Sequence, residues 1–246
     1  MNEDPISIGE MLLIAGAARR LYRAVADFLD RNRTNGHGTF REHADSVKHF
    51  TGYIEASHAT LSPVRLFGLS NTIAVHALQM ARRITKDDIP RGVSSQLYVY
   101  SRPESSLQMW LSSGAQSFGS VLVPWTVPRE GEGSDAPGIC VRAFCSNRLW
   151  IKKGDFEQRD GDPLKEIMAL PIVPRLCAQD NDLAALTVSS RTVGFFPDDN
   201  ELHDGQRARI KVVQEILQQL NAIYRNLSVS GAGDVSAPAA GAAGKS

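Results

Sequence analysis

Ile167–Val173 (IMALPIV), the turn Gln179–Asp182 (QDND) and Leu183–Ser190 (LAALTVSS) are the stretch on which the fold is decided. Two short apolar runs stand on either side of a segment whose Asn and Asp side chains bond their own backbone and tolerate tight turns, which reads as an antiparallel hairpin. Upstream lie a short strand at Leu149–Lys152, a polar loop at Phe156–Pro163 and a short helix at Gly138–Asn147. Before these come a Gly-rich polar loop, Arg129–Pro137, and three β-rich runs, Ser95–Ser101, Leu107–Ser112 and Ser120–Val127. Turn residues such as Arg102-Pro103-Glu104 separate the runs, as in an antiparallel meander.

Helices flank this β-rich centre. Ser7 and Glu10 have the spacing of a capping box, and the steps of three and four from Ile8 to Leu29 predict a helix over 7–30. Ala44, Val47, Phe50 and Ile54 predict a second helix over 40–58, and Pro63 opens a third that runs to Ile84. Downstream, Ile210, Val213, Leu217, Leu220, Tyr224 and Leu227 alternate by three and four, an a/d seam on a helix from Asp204 to Leu227. The last residues, rich in Gly, Ala and Ser, have too little apolar surface to offset chain entropy and read as disordered.

Composition narrows the function. The 246 residues are 42% hydrophobic, enough for a sizeable core, and 27 basic residues balance 27 acidic ones. No basic excess points to nucleic acid or a membrane surface. The apolar run Met11–Ala18 stops at Arg19, well short of the ~20 residues of a spanning helix. The acidic start lacks the basic region of a signal peptide, and three irregularly spaced cysteines do not make a disulfide framework. A soluble, cytoplasmic protein is expected.

The order of elements over residues 63–226 resembles the GAF domain. The segment Pro137–Ile151 is similar to that family's glycine-containing helix and strand, with Val141 where a small residue is usual. Ala169–Val173, Leu183–Ser190 and the aromatic–acidic turn Phe195–Asp199 are similar to its most recognisable part, with Ala184 in place of a glycine. The resemblance implies an α/β (α+β) fold, a central antiparallel sheet with helices packed on one face, here with an N-terminal helical extension. It implies the divisions 1–62 (extension), 63–228 (GAF-like domain) and 229–246 (tail). A ligand pocket lies on the sheet's other face in many members, bordered here by Tyr98, Tyr100, Trp110, Trp125, Arg142 and Trp150. The expected role is a regulatory, sensory module that binds a small molecule or a partner protein. Such a module forms a homodimer through its flanking helices and hands its signal to a separate output protein. A ligand-free adaptor is the alternative. The resemblance names no cofactor.

Catalysis finds little in the residues. Gly138-Ile139-Cys140 resembles a motif of GAF-type enzymes that reduce free methionine sulfoxide, but the loop Phe156–Asp162 lacks the second cysteine that a thiol relay needs. Cys140 and Cys145, five apart on a helix, point to different faces. Asp88-Ile89-Pro90 matches the letters of a bilin-binding signature but precedes the first strand. His43 and His49, six apart, lie on roughly opposite helix faces and do not make a metal pair. Neither a catalytic nor a metal site is expected.

Overall fold

The computed structural model describes residues 39–57, 63–87, 92–113, 124–129, 138–156, 164–198 and 202–229. The predicted helix over 7–30, Asp88–Pro90, most of the loops 129–137 and 156–163, and the tail beyond 229 lie outside these residues.

The elements run α1 (Phe40–Ser57), α2 (Pro63–Ala81), β1 (Val93–Ser101), β2 (Ser106–Ser113), β3 (Trp125–Thr126), α3 (Ile139–Ser146), β4 (Trp150–Phe156), β5 (Leu164–Pro171), β6 (Leu183–Ser190) and α4 (Asp204–Val229), with a 3-10 turn at Arg175–Cys177. The six strands form one sheet in the order β3-β2-β1-β6-β5-β4, every neighbouring pair antiparallel. The expected α+β class holds, with a central antiparallel sheet and a helical layer on one face. β4 runs to Phe156, past Lys152 where the sequence pattern breaks. Gly154 adopts φ +138°, and a bulge between Lys153 and Phe156 lets the strand continue through residues that read as loop.

Strand alternation sorts the side chains into two cores. Val93 and Leu97 of β1, Met168 and Leu170 of β5, and Leu183, Leu186 and Val188 of β6 pack with the three long helices. Tyr98, Leu107, Ala184 and Ala185 face the other way and pack with Cys140, Val141 and Phe144 of α3. Ile210, Val213, Leu217 and Leu220 of α4 belong to the first core, so the predicted seam is used inside the chain. Leu227's side chain lies outside the description.

α1 opens with a capping box: Thr39 N–H donates to Glu42 Oε2 at 2.9 Å, and Glu42 N–H to Thr39 Oγ1 at 3.4 Å. Phe40, Ala44, Val47, Phe50 and Ile54 share one core with α2 and α4, although the sequence places them in the N-terminal extension. Burying a side chain such as Phe50 or Ile54 contributes roughly 1.5–3 kcal/mol. α1 is thereby a working part of the helical layer.

Two buried carboxylates pin loops to this frame. Glu166 accepts from Gly194 N at 2.6 Å and Phe196 N at 2.7 Å, fixing the aromatic turn before α4. Asp182 accepts from Gln179 N at 2.6 Å and Asn221 Nδ2 at 3.2 Å, and pairs with Arg225. Asn221 Oδ1 accepts in turn from Leu183 N at 2.8 Å, so α4 grips the β5–β6 turn. The αL residue in that turn is Asn181 (φ 65°), a type that tolerates the conformation. Asp182→Ala removes three donors' shared acceptor from a buried position. Urea unfolding of this variant is expected to show a loss of about 3 kcal/mol, against less than about 1 kcal/mol for the exposed Asp180→Ala.

Candidate functional site

The sheet face away from the helical layer holds the candidate site. On β1, Ser94, Gln96, Tyr98 and Tyr100 share this face by alternation; on β6, Ala185, Thr187 and Ser189 do. The β1–β6 register sets Ser94 opposite Ser189, Gln96 opposite Thr187 and Tyr98 opposite Ala185. Ser94 Oγ and Ser189 Oγ lie 2.7 Å apart, Tyr98 Oη donates to Gln96 Oε1 at 2.7 Å, and Thr187 Oγ1 donates to the same oxygen at 3.2 Å. Ser94, Thr187 and Ser189 are buried. The centre of the sheet therefore carries a floor of hydroxyls and one amide where an ordinary sandwich would carry apolar side chains.

Beside the polar floor, the α3 end of the face is apolar and filled. Tyr100 packs on Phe144 with ring centroids 5.1 Å apart, and Cys140, Val141, Ala184 and Ala185 complete the contact. Burial first, then the neighbouring Cys140 thiol, pushes the Tyr98 hydroxyl well above its ordinary range, with hydrogen bonds to Thr187 and Trp125 opposing. Tyr98 thus stays a neutral donor. Burial likewise pushes the Cys140 thiol up to about 12, which keeps it protonated at neutral pH. Cys145 is half-buried beside Arg175, whose Nη1 lies 3.6 Å from its sulfur, and Cys177 is exposed.

Of the six residues singled out in the sequence, the fold gathers five on this side. Trp125 meets Tyr98, and its ring packs against Gly138, where a Cβ would come within 2.9 Å of it. Glycine is needed there because the indole occupies the space of any side chain. At the other end of α3, the Arg142 guanidinium sits 6.0 Å from the centre of the Trp150 ring, and Trp150 Nε1 donates to Ser146 Oγ at 2.8 Å. Trp125 and Trp150 keep 39% and 37% of their surface exposed, so they flank α3 instead of lining an enclosed wall. Trp110 is on the opposite side. It packs edge-on against Tyr224 of α4 at 5.1 Å, because alternation from Leu107 and Met109, which face α3, turns the next residue to the helical side. It therefore cannot share a pocket with Tyr98.

Gln96, Thr187, Ser94 and Ser189 were not singled out in the sequence. Their signal is the period-two placement of polar residues in SSQLYVY and LTVSS, which becomes a site only once β1 and β6 are neighbours. A concavity of about 350 Å³ lies elsewhere, between α1 and α4, lined by Lys48, Gly52, Glu215, Gln218 and Gln219. A Lys48–Glu215 ion pair at 3.2 Å lies there, and this charged, solvated lining lacks the apolar walls of a small-molecule site.

Among the described residues, no three His, Cys, Asp or Glu side chains converge to hold a metal ion, and no helix is long and apolar enough to cross a membrane.

The layers and the sheet are those of an α+β fold built on one central antiparallel sheet. No protein-family model matches the chain, and no curated protein matches it in sequence. Among solved structures, the chain is similar to a methyl-accepting chemotaxis protein, residues 122 to 287, at 11% identity over 66% of this chain and 93% of that one, with a TM-score of 0.41. It is also similar to a free methionine-R-sulfoxide reductase from Neisseria meningitidis in complex with its substrate, at 13% identity over 74% of this chain and 92% of that one, TM-score 0.41. Overlap this loose transfers neither a site nor an activity, and the chemistry rests on this chain's own side chains.

The thiol environments have a direct readout. Alkylation of the native protein at pH 8 is expected to label Cys177 first and Cys140 at least about a hundredfold more slowly, as peptide mass mapping over time would show. Rapid labelling of Cys140 would contradict its burial.

Proposed function

We propose that the chain is a sensory GAF-like domain that takes a small, uncharged, hydrogen-bonding molecule on the floor formed by Ser94, Gln96, Thr187 and Ser189. The observation that carries this reading is a cluster of neutral donors and acceptors on the central strands, with Ser94, Thr187 and Ser189 buried and Gln96 half-buried, on the face opposite the three long helices. Buried polar groups cost stability unless satisfied, and hydroxyls and an amide can exchange bonds among themselves for bonds to a ligand. The thiol nearest to them among the described residues, Cys140, is kept protonated by burial, and the proposed role is binding without catalysis.

Transmission has a physical route. α4 is hydrogen-bonded to the β5–β6 hairpin through Gln214 to Pro171 O at 2.8 Å, Gln218 to Ile172 O at 2.9 Å and the Asp182–Asn221–Arg225 cluster. Because β6 also carries Thr187 and Ser189, a change in how the floor is bonded bears on the strand that α4 grips. The receiver in this proposal is a separate output protein or a second copy of the chain. A homodimer would use the outer faces of α1 and α4 or the segment 7–30, since the seam from Ile210 to Leu220 is already buried.

A ligand-free adaptor is the second reading. The filled contact between α3 and the sheet, with Phe144 against Tyr100 and Cys140 near Tyr98, favours it.

Native mass spectrometry of protein purified without denaturation separates the two. The sensor is expected to carry a small molecule, and Thr187→Val or Gln96→Leu is expected to weaken its retention by about tenfold per hydrogen bond lost. Protein that emerges empty and fails to take up any member of a neutral metabolite library would establish the adaptor.

A further inference from the structure

The first turn of α1 is held by a buried group of cationic and titratable side chains that neither the ligand site nor the sheet uses. His43 is 7% exposed, His76 8% and Arg83 7%. Arg83 Nη1 lies 3.1 Å from His43 Nδ1 and 3.3 Å from Nε2, so a permanent positive charge is set close to both ring nitrogens whichever one carries the proton. The same arginine ties other elements together. Its carbonyl accepts from Arg209 Nη1 of α4 at 2.8 Å, and its neighbour Arg82 donates to Val93 O of β1 at 2.9 Å.

The charged groups around His43 come from each packed element. From α1 itself, Glu42 lies in the cap; from α2, His76; from the turn after α2, Arg82, Arg83 and Asp87; from α4, Arg209. Asp87 is already engaged, accepting from Phe40 N at 3.1 Å and pairing with Arg209 Nη2 at 3.0 Å. Of these, Arg83 and Glu42 act on His43 directly, while Asp87 and Arg209 pair with each other. The N-terminus of α1 adds the positive end of a helix dipole beside His43.

We infer that α1 is docked through a proton-labile joint: acidification charges His43 against Arg83 and loosens the first turn of α1 from α2 and α4, while the sheet stays folded. The ring must stay neutral to sit beside the guanidinium. An imidazolium there would press two like charges together at hydrogen-bonding distance with little water to screen them.

The direction of the pH effect follows from the same burial. Desolvation first, then Arg83, holds His43 below the ordinary imidazole value, with the Thr39 backbone and Glu42 opposing. Desolvation, then His43, lowers His76 to about 4, with Gln79 opposing. Groups whose folded values are depressed bind fewer protons folded than unfolded. Their stabilisation is complete above the ordinary imidazole range, near 6.5, and is lost as pH falls from there toward the lowered values. The inference is independent of whether a ligand occupies the other face.

Hydrogen exchange of the full chain, corrected for intrinsic rates, tests it at pH 7.5 and pH 5.5. Amides of 42–54 are expected to lose protection about tenfold or more at the lower pH, while those of β6 and the middle of α4 hold theirs. His43→Gln, whose amide oxygen accepts from Arg83 at any pH, is expected to abolish the difference. Equal α1 protection at both pH values, uniform loss across the chain, or loss that persists in a folded His43→Gln would overturn the joint. Should that variant fail to fold, the NMR titration of His43 in the unmodified protein decides. An ordinary midpoint with α1 still docked refutes the inference; a depressed one accompanied by shifts across α1 upholds it.

Discussion

The pairing of β1 with β6 is the constraint from which the remaining structure follows. These strands are far apart in sequence, yet they lie side by side at the middle of the sheet, from Val93 opposite Ser190 to Val99 opposite Leu183. Because side chains alternate, one register choice sends Val93, Leu97, Leu186 and Val188 toward the helices and Ser94, Gln96, Thr187 and Ser189 to the other face. A slip by one residue would bury hydroxyls under the helical layer and expose valines and leucines. The apolar cost of that exchange, several side chains at roughly 1.5–3 kcal/mol each, fixes the register and therefore creates the polar floor.

The two faces then divide the physical tasks. The helical side supplies stability through a continuous apolar core that includes Phe50, Ile54, Ile73, Leu78, Phe196 and Leu217. The α3 side is part dry contact and part polar floor, so it is where binding free energy can be changed without dismantling the fold. α4 belongs to the first task but is hydrogen-bonded to the strand that serves the second. The His43–Arg83 contact is buried close to the start of both α1 and α4. A ligand on the polar floor and a proton at His43 are the two small chemical changes proposed to alter how helices sit on the sheet.

Much of this was legible in residue order. The strand at Leu183–Ser190, the helix at Phe40–Ser57 and the short helix around Cys140 follow from local periodicity, and the structure places them with little shift. β4 extends past the expected end at Lys152 because Lys153 and Phe156 both pair with β5, with Gly154 at positive φ in the bulge between them. Trp110 was placed with the other tryptophans because the resemblance to GAF domains sets its segment beside the ligand pocket. Alternation along β2 turns it away from Leu107 and Met109, and its ring meets Tyr224. The His43–Arg83 contact had no local signal at all, since spacing along α1 compares His43 only with His49 and never with a residue beyond the next helix.

What the sequence by itself determined is the α+β class and the identity and approximate limits of most elements. These depend on short-range propensity and on residue presence, which one strand of text contains. Only the tertiary structure decided that Gln96 meets Thr187, that the α4 seam faces inward, that α1 joins the central helical layer, and that a histidine and an arginine share a buried joint. Each of those is a contact between residues remote in sequence, chosen by which packing leaves the fewest apolar atoms in water and the fewest polar groups unsatisfied.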